Sequence, residues 1–264
     1  MEEDKAFFSE LYTEDSIAAF EKLNGVGYIG SQGKAFTEEV APLLGLKEGD
    51  RVLDIGSGIG GMAFHLAKFY GADVLGVDIS AAVVKVGSER AASTDVGKGN
   101  VKFEICDATQ ADFPSCTFDV IVMRSALMHL PYDKKYKVVE NSFRWLKPGG
   151  RLILNDIHTI KEIPDAALQD HMKKRHWYLL SFEKNLQYLE RAGYRCVTIK
   201  DKSKEYVESL TDELIQFEAK QEELLKDIPK GIFEVTLSHW KWKQEWATKQ
   251  AFGEFYILAE KRGA

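Results

Sequence analysis

The feature that most constrains the fold of this chain is the stretch Arg51-Val-Leu-Asp-Ile-Gly-Ser-Gly-Ile-Gly-Gly61. Its apolar start predicts a buried strand that ends in Asp54, and the glycines that follow predict a tight turn. Apolar residues then recur from Met62 to Phe69 at the spacing of a helix. A strand, a glycine-rich turn and a helix are typical of the opening of a doubly wound α/β fold. In that fold the bare backbone of the turn and the N–H groups of the helix N-terminus contact a ligand.

Acidic residues end three successive predicted strands: Asp54, Asp78 and Asp107. Because the carboxyl ends of parallel strands meet at one edge of a sheet, these carboxylates are expected to line one cleft. Asp54 suits an ammonium group, Asp78 suits both hydroxyls of a ribose, and Asp107 suits the amino group of adenine. S-adenosylmethionine carries all three groups. The alternative for any one acid is a cap on the helix that follows its strand.

NAD is the competing ligand, since it also uses an acid after the second strand of such a fold. NAD favours Gly-x-Gly-x-x-Gly without an acid two residues before the first glycine, and an acid after the third strand has no role in its binding. The order Asp-x-Gly-x-Gly-x-Gly, followed by acids at the second and third strands, resembles the class I S-adenosylmethionine-dependent methyltransferases. The turn Lys147-Pro-Gly-Gly150 before the fifth predicted strand fits the same class.

Strands and helices alternate regularly between residues 51 and 156, which predicts a parallel sheet covered by helices on both faces. Further strands are predicted at 194–200 and 255–260. The expected fold is therefore an α/β, class I methyltransferase (Rossmann-like) fold with a seven-stranded, mostly parallel sheet. We interpret residues 201–250 as a helical insertion before the last strand, packed over the carboxyl edge of the sheet.

Length and composition limit the classes of function. The 264 residues suffice for one large domain, which we divide into an N-terminal helical lid over 1–45 and a methyltransferase domain over 46–264. The net charge is −6 and the basic residues are scattered, so no nucleic-acid partner is expected. No apolar run approaches the roughly 20 residues of a membrane span, and the acidic start argues against a signal peptide. The odd number of cysteines, without metal-ligand spacing, favours reduced thiols; we expect a cytoplasmic monomer with no metal and no membrane partner.

Features outside the glycine turn are more specific, and together they resemble the phosphoethanolamine N-methyltransferases. The resemblance covers nearly the whole chain, and its two N-terminal segments are the most discriminating. The segments are Leu11-Tyr-Thr-Glu-Asp15, Tyr28-Ile-Gly-Ser-Gln-Gly33, Val52-Leu-Asp-Ile-Gly-Ser-Gly-Ile-Gly-Gly61, Arg124 to Leu130, and His171 to Tyr178.

The resemblance implies a catalytic dyad of Tyr12 and His129 over the substrate amine. It also implies that Arg175 and Lys241 bind the phosphate of a small phosphobase. Without the resemblance, Lys241 is better interpreted as a solvated lysine on a charged helix. The lid residues that line the substrate site are Tyr28, Ile29 and Ser31. The cofactor site is assigned to Asp54, Gly56, Ser57, Gly58, Asp78, Ile79, Asp107, Ala108 and Arg124.

These roles are consistent with the chemistry of methyl transfer. A protonated amine cannot attack a sulfonium, so a group that accepts a proton near neutral pH is needed, and histidine suits this task. Tyr12 can orient His129 and exclude water when the lid closes. The guanidinium of Arg175 matches a phosphate with two hydrogen bonds, and Lys241 supplies a point charge.

The chain departs from the family pattern at five positions. Ser125 stands where an aspartate is usual, Leu11 where a glutamine is typical, and Ile157 where a tyrosine is expected. His171 and Trp177 stand where the family has two tyrosines around the phosphate. Four of the five changes remove polar groups, and an aromatic face suits an alkylated ammonium. We therefore place Ile157, His171 and Trp177 in the substrate site and predict the later methylations, from phosphomonomethylethanolamine and phosphodimethylethanolamine to phosphocholine, with S-adenosylhomocysteine as the other product.

Other functions stay open on the sequence. The enzyme could methylate phosphoethanolamine itself or another small acceptor such as a sterol, a fatty acyl chain or glycine. The charged segments 161–176 and 201–230 argue against a lipid acceptor. A non-catalytic S-adenosylmethionine-binding subunit is disfavoured by the intact acids and by the dyad, and a nicotinamide oxidoreductase by the order of the acids.

Overall fold

The computed structural model describes residues 7–8, 10–161 and 165–263. Parts of three predicted segments lie outside the described residues: positions 1–6 and 9 of the lid, 162–164 of the charged segment 161–176, and 264 of the methyltransferase domain. Among the described residues, no helix is both long enough and apolar enough to cross a membrane.

The centre of the structure is a seven-stranded sheet of order β3-β2-β1-β4-β5-β7-β6, in which β7 runs antiparallel to both neighbours. The predicted mostly parallel sheet is confirmed. The strands are β1 (Arg51–Ile55), β2 (Asp73–Asp78), β3 (Asn100–Ile105), β4 (Phe118–Arg124), β5 (Leu146–Thr159), β6 (Arg195–Asp201) and β7 (Phe252–Glu260).

Helices cover both faces of the sheet and its carboxyl edge. The helices are α1 (Glu14–Asn24), α2 (Gly33–Val40), α3 (Gly61–Tyr70), α4 (Ala81–Ala91), α5 (Tyr132–Trp145), α6 (Ala166–Lys174), α7 (Phe182–Ala192), α8 (Ser203–Ala219), α9 (Gln221–Leu224) and α10 (Lys230–Thr248). Short 3-10 turns lie at Ala41–Leu44 and Leu127–His129. Helices α8, α9 and α10 lie between β6 and β7, where the helical insertion was predicted.

Alternate residues of the central strand β1 pack in two separate cores. Val52 packs in one cluster with Phe36 of α2 and Leu66 of α3. Leu53 packs in a second cluster with residues of α5, including Trp145. Because both faces of the strand are buried, its sequence is a continuous apolar run instead of an alternating one.

Helix α6 ends at Lys174, because His176 adopts φ 53° and the N–H of Trp177 returns to the carbonyl of Met172 at 2.9 Å. The turn expected at Lys147–Gly150 is instead the first part of β5, which pairs with β4 across a register shift.

The lid is joined to two other parts of the molecule. Helix α1 begins with a capping box in which the side chain of Thr13 accepts the N–H of Ser16. On its buried face, Phe20 stacks on Trp240 of α10 with ring centroids 5.8 Å apart. In the loop that follows, the carbonyl of Gly27 accepts the N–H of Gly61, the first residue of α3, at 2.9 Å. The lid therefore contacts both the insertion and the helix that follows the glycine turn.

Candidate active site

A cavity of about 270 Å³ lies at the carboxyl edge of the sheet, enclosed by the lid and by α10. Its wall combines the ends of β1, β2 and β4 with residues from the lid loop, from the segment after α6, and from the insertion. Most of the sequence-predicted site residues meet here. They are Tyr12, Tyr28, Ile29, Ser31, Asp54, Gly56, Ser57, Gly58, Asp78, Ile79, Asp107, Ala108, Arg124, His129, Ile157, Arg175 and Trp177.

The carboxylate of Asp78 organises the glycine turn. One oxygen accepts the N–H of Gly58 at 3.0 Å and the other accepts the N–H of Ser80 at 2.9 Å. Gly56 and Gly58 have φ of 75° and 53°, a left-handed backbone that glycine adopts without strain. A Cβ on Gly56 would lie 2.6 Å from that of Ala126, so a side chain has no room there. The turn and Asp78 thus form one rigid wall of the cavity.

Asp54 is buried at the end of β1, and the pKa of its carboxyl is raised. Burial and the neighbouring carboxylate of Asp78 raise the pKa of Asp54 to about 7, although the guanidinium of Arg124 lowers it. Burial also raises the pKa of Asp78, and its backbone hydrogen bonds oppose that shift. Two buried carboxylates that face one cavity favour a cationic or hydrogen-bond-donating ligand between them.

Asp107 and Ala108 contribute the third strand end to this wall. One carboxylate oxygen of Asp107 accepts both the N–H of Thr109, at 2.9 Å, and its hydroxyl, at 2.7 Å. The side chain is therefore oriented before any ligand binds. The predicted convergence of Asp54, Asp78 and Asp107 on one cleft agrees with this geometry.

Arg124 connects the end of β4 to the lid. Its guanidinium donates to the carbonyl of Ser31 and lies over the ring of Phe36 at 5.4 Å. Its Nε is buried without a hydrogen-bond partner among the described residues, as is the hydroxyl of Ser57. Because buried polar atoms are normally paired, these atoms indicate a polar ligand in this half of the cavity. The donors and acceptors present suit the amino, hydroxyl and carboxylate groups of S-adenosylmethionine.

His129 lies in the 3-10 turn after β4 and is oriented by a backbone carbonyl. Its Nδ1 is 3.2 Å from the carbonyl oxygen of His176. Because a carbonyl only accepts, Nδ1 carries the proton and Nε2 is left as the acceptor. Burial lowers the pKa of His129 to about 4, so the imidazole is neutral at pH 7.

The phenol of Tyr12 lines the same cavity, and the ring of Phe8 lies against both members of the predicted dyad. Phe8 meets His129 edge-on at 5.2 Å and stacks on Tyr12 at 6.1 Å between ring centroids. Burial and the carboxylate of Asp78 raise the pKa of Tyr12, so its hydroxyl stays protonated. The dyad residues are therefore a neutral acceptor and a neutral donor in an apolar surrounding.

Two buried side chains of opposite charge hold the turn that carries His129. Lys135 of α5 and Asp156 of β5 are 2% and 3% exposed. The ammonium of Lys135 donates to the carbonyl of Leu127, and Asp156 accepts the N–H of Met128 at 2.8 Å. The first bond holds Leu127 and the second holds Met128, the two residues that precede His129.

Basic side chains also line the cavity. Arg175 follows α6, and Lys243 of α10 is 6% exposed, with its Nζ 3.2 Å from the hydroxyl of Ser31. Burial lowers the pKa of Lys243 to about 8, against the attraction of Glu213 and Glu254. Trp177 adds a buried aromatic face beside them.

The structure does not bring Lys241 to this cavity. Its Nζ pairs with Glu218 at 2.7 Å on the surface, and 56% of its side chain is exposed. Lys243 takes the predicted place, because two residues along an α-helix turn the side chain to about the opposite face. The alternative interpretation of Lys241, a solvated lysine on a charged helix, is the one that the structure supports.

His171 also lies outside the cavity wall. Its ring stacks on Trp242 at 3.7 Å and lies parallel to His239 at 5.8 Å. His239 lines the cavity in its place. His171 therefore lies behind the wall as a packing partner of the residues that line it.

The lid loop closes over the glycine turn. The ring of Tyr28 packs so tightly on Gly33 and Gly61 that a Cβ at either would lie within 2.6 Å of it. A Cβ on Gly58 would be 3.1 Å from Ile29. The predicted position of this loop at the site agrees with the structure.

Several cavity residues were not predicted from the sequence, and four of them belong to the insertion. A helical face with His239 four residues before Lys243 is the one signal that could have identified two of them. Among the described residues, no cluster of three His, Cys, Asp or Glu side chains is arranged to hold a metal. The four from the insertion are Tyr206, His239, Trp240 and Lys243, and others with polar or aromatic side chains include Phe8, Phe20, Cys106, Thr109, Lys134 and Glu254.

Comparison with known proteins agrees with this geometry. A family model described as a methyltransferase domain matches residues 46–249. Phosphoethanolamine N-methyltransferase of Plasmodium falciparum is 32% identical over 84% of this chain and 83% of its own length. Phosphoethanolamine N-methyltransferase 3 of Arabidopsis thaliana is 32% identical over 88% of this chain and 46% of its own length. The chain spans about half the length of the plant relatives that it matches.

A solved structure with the same architecture is phosphoethanolamine N-methyltransferase 2 of Haemonchus contortus, in complex with phosphomonomethylethanolamine and S-adenosylhomocysteine. It superposes with a TM-score of 0.91 at 25% identity and covers 98% of this chain and 60% of that chain. The resemblance found in the sequence is thereby confirmed. The chain belongs to the methyltransferase-domain family and, within it, to the phosphoethanolamine N-methyltransferases.

Proposed function

We propose that this protein is an S-adenosylmethionine-dependent N-methyltransferase that converts phosphomonomethylethanolamine and phosphodimethylethanolamine to phosphocholine. The observation that carries the proposal is a single cavity lined both by the buried carboxylates of Asp54 and Asp78 and by the basic groups of Arg175 and Lys243. An activated, positively charged methyl donor suits the carboxylates, and a phosphoryl group suits the basic groups. The Haemonchus relative, which holds phosphomonomethylethanolamine and S-adenosylhomocysteine, supports the same pair of ligands.

Asp54, Asp78 and Asp107, with the glycine turn, are the residues that would hold S-adenosylmethionine. When bound, this cofactor supplies a methyl group on a sulfonium, which needs no further activation. The chain must then align the amine and keep it unprotonated. His129 has the free acceptor nitrogen for this task, and Tyr12 and Phe8 exclude water around it.

The preference for methylated amines rests on the apolar character of the wall. Ile157 and Trp177 are both 8% exposed and offer no hydroxyl group. A primary ammonium has three N–H donors to satisfy, whereas a mono- or dimethylated one has fewer donors and more apolar surface. The aromatic face of Trp177 also suits an alkylated ammonium.

A labelled-methyl assay on the three phosphobases tests the function. Transfer to phosphomonomethylethanolamine and phosphodimethylethanolamine is expected, with phosphoethanolamine much slower. Equal turnover of all three would refute the preference alone. Lack of transfer to any of them, by protein that binds S-adenosylhomocysteine, would refute the proposed substrate class.

The placement of Lys243, and not Lys241, in the cavity can be tested with a matched pair of variants. Lys243→Ala is expected to raise the KM for phosphomonomethylethanolamine roughly 10–100-fold, because a hydrogen bond to a charged group contributes about 1.5–3 kcal/mol. Lys241→Ala, on the exposed face of the same helix, should leave KM within about twofold, as for most surface substitutions. Steady-state kinetics at saturating S-adenosylmethionine measures both. The reverse order of effects would restore Lys241 as the phosphate ligand.

The raised pKa of Asp54 predicts a pH dependence of cofactor affinity. The pKa of about 7 means that this carboxyl, flanked by Asp78 and Arg124, is protonated in acid and charged above neutrality. A ligand ammonium needs the charged form, so affinity for S-adenosylmethionine should fall up to about tenfold per pH unit below pH 7. Titration calorimetry from pH 5.5 to 8 measures the slope. Asp54→Asn should bind more weakly and lose this slope; a slope that persists in the variant would assign it to another group.

The proposal also keeps the division into lid and methyltransferase domain at residue 45, the cytoplasmic location and the monomeric state expected from the sequence. The three cysteines are all free thiols, which supports a reducing compartment. Light scattering on the purified protein tests the oligomeric state.

A further inference from the structure

Near Arg175 and Lys243 the cavity contains a histidine that the roles described so far leave unused. His239 lies on α10 four residues before Lys243, so the two side chains share one face of the helix and both line the cavity. The Nδ1 of His239 is buried and has no hydrogen-bond partner in the described part of the chain. A buried ring nitrogen without a partner is unusual, and here it belongs to a side chain in the cavity wall.

Aromatic rings hold the imidazole of His239 on several sides. Trp177 meets it edge-on at 6.0 Å, and Trp242 lies parallel to it at 6.0 Å between ring centroids. His171, also parallel, lies 5.8 Å away. These rings fix the plane of the imidazole, which is the condition for a directional hydrogen bond to a ligand.

The groups that face His239 are basic. They are Lys243 on its own helix, Arg175 and His171 at the end of α6, and His129 after β4. Together with burial, they hold the pKa of His239 well below its usual value, so the imidazole is neutral before a ligand binds. A neutral imidazole has one N–H donor and one acceptor, and a phosphoryl group offers acceptors only. The phosphoryl group is thus the ligand group that satisfies a donor in this surrounding.

We propose that His239 is a third phosphoryl-binding residue, whose ring N–H donates to a phosphoryl oxygen between Arg175 and Lys243. The inference rests on the proposed function and adds a neutral donor to the two cationic side chains. It assigns His239 to recognition of the phosphoryl group and not to methyl transfer itself. Its loss should therefore change KM more than kcat.

The test compares three variants by steady-state kinetics and by calorimetry with phosphocholine, inorganic phosphate and choline. His239→Phe keeps an aromatic ring without a donor, and it should raise the KM for phosphomonomethylethanolamine and the Kd of phosphocholine by about tenfold. Binding of choline, which has no phosphoryl group, and of S-adenosylhomocysteine should stay within about twofold. His239→Asn places an amide N–H near the position of Nδ1 and should recover part of the loss. His65→Phe, on α3 away from the cavity wall, is the control and should change nothing.

The outcomes separate this inference from the proposed function. A His239→Phe variant with unchanged phosphocholine affinity would overturn the role of His239 alone. A protein that binds inorganic phosphate through His239 but methylates no phosphobase would support the inference and refute the function. A wild-type protein that binds neither phosphocholine nor phosphate would overturn both. If His239→Phe does not fold, the imidazole nitrogen resonances of the wild-type protein decide: those of His239 should shift on titration with inorganic phosphate, and unshifted resonances would overturn the inference.

Discussion

Replacing His129 by alanine is expected to reduce methyl transfer by about 10²–10⁴-fold, the usual contribution of a positioned acid–base group. The imidazole is neutral because burial lowers its pKa to about 4, and its Nδ1 is held by the carbonyl of His176. Nε2 is therefore available to the substrate amine across the whole physiological pH range. Single-turnover transfer of a labelled methyl group to phosphomonomethylethanolamine measures the step directly.

Two controls show whether the loss of methyl transfer in His129→Ala comes from the missing imidazole. The affinity for S-adenosylhomocysteine should stay unchanged, since the glycine turn and Asp78 do not contact His129 in the described hydrogen bonds. Tyr12→Phe keeps the ring that packs on Phe8 and removes the hydroxyl, so its effect isolates orientation by the phenol. Transfer by His129→Ala within about threefold of the wild-type rate would remove His129 from the mechanism.

The low pKa of His129 also determines how its protonation changes the methyl-transfer activity with pH. Protonation would block Nε2, and this occurs only as the pH falls toward 4. A decline in activity between pH 7 and 6 therefore belongs to another group, of which Asp54, with a pKa of about 7, is the first to test. The Asp54→Asn variant separates the two.

The sheet and the cofactor half of the site could be predicted from sequence because both depend on local patterns. A continuous apolar run identifies a strand that is buried on both faces, and an acid at its end lies at the edge where ligands bind. That rule alone was enough to predict the three site residues Asp54, Asp78 and Asp107. The dyad depended on the family resemblance, since nothing local relates Tyr12 to His129.

The basic residues of the proposed phosphate site could not be predicted as well, because the orientation of a helix is set by tertiary packing. Helix α10 has basic residues at both 241 and 243, and each residue turns the side chain by about 100°. Only the contact of Phe20 with Trp240 and of Ser31 with Lys243 shows which face meets the cavity. His171 was placed in the substrate site for a related reason: packing also decides which face of α6 meets the cavity, and His171 stacks on Trp242 instead.

The buried pair Lys135 and Asp156 was also hidden from sequence, since a charged residue on a helix is normally solvated. Each group is attracted by the other, and burial opposes the charge of both. The two side chains reach from α5 and β5 to the 3-10 turn of Leu127–His129, to which both are hydrogen-bonded. They therefore connect the stability of the core with the position of His129.

Lys135→Met is expected to lower the free energy of unfolding by about 3–5 kcal/mol, because it leaves the carboxylate of Asp156 buried without the nearby opposite charge. The double variant Lys135→Met/Asp156→Asn removes both charges. It should recover much of that loss, because the introduced amide still offers an oxygen to the N–H of Met128. Urea unfolding of the wild type, both single variants and the double variant gives the coupling energy.

The control for this cycle is Lys137→Met, two residues further along α5 and exposed, which should change stability by no more than about 0.5 kcal/mol. If the pair also positions His129, Lys135→Met should lower kcat for methyl transfer at a temperature where the variant is fully folded, with KM for the phosphobase little changed. The double variant keeps an acceptor for the N–H of Met128 but, like Lys135→Met, has no donor for the carbonyl of Leu127, so it should recover stability without recovering kcat. A Lys135→Met protein that unfolds like the wild type would mean that Asp156 is satisfied by its two backbone donors, the N–H groups of Met128 and Ile157, without the lysine.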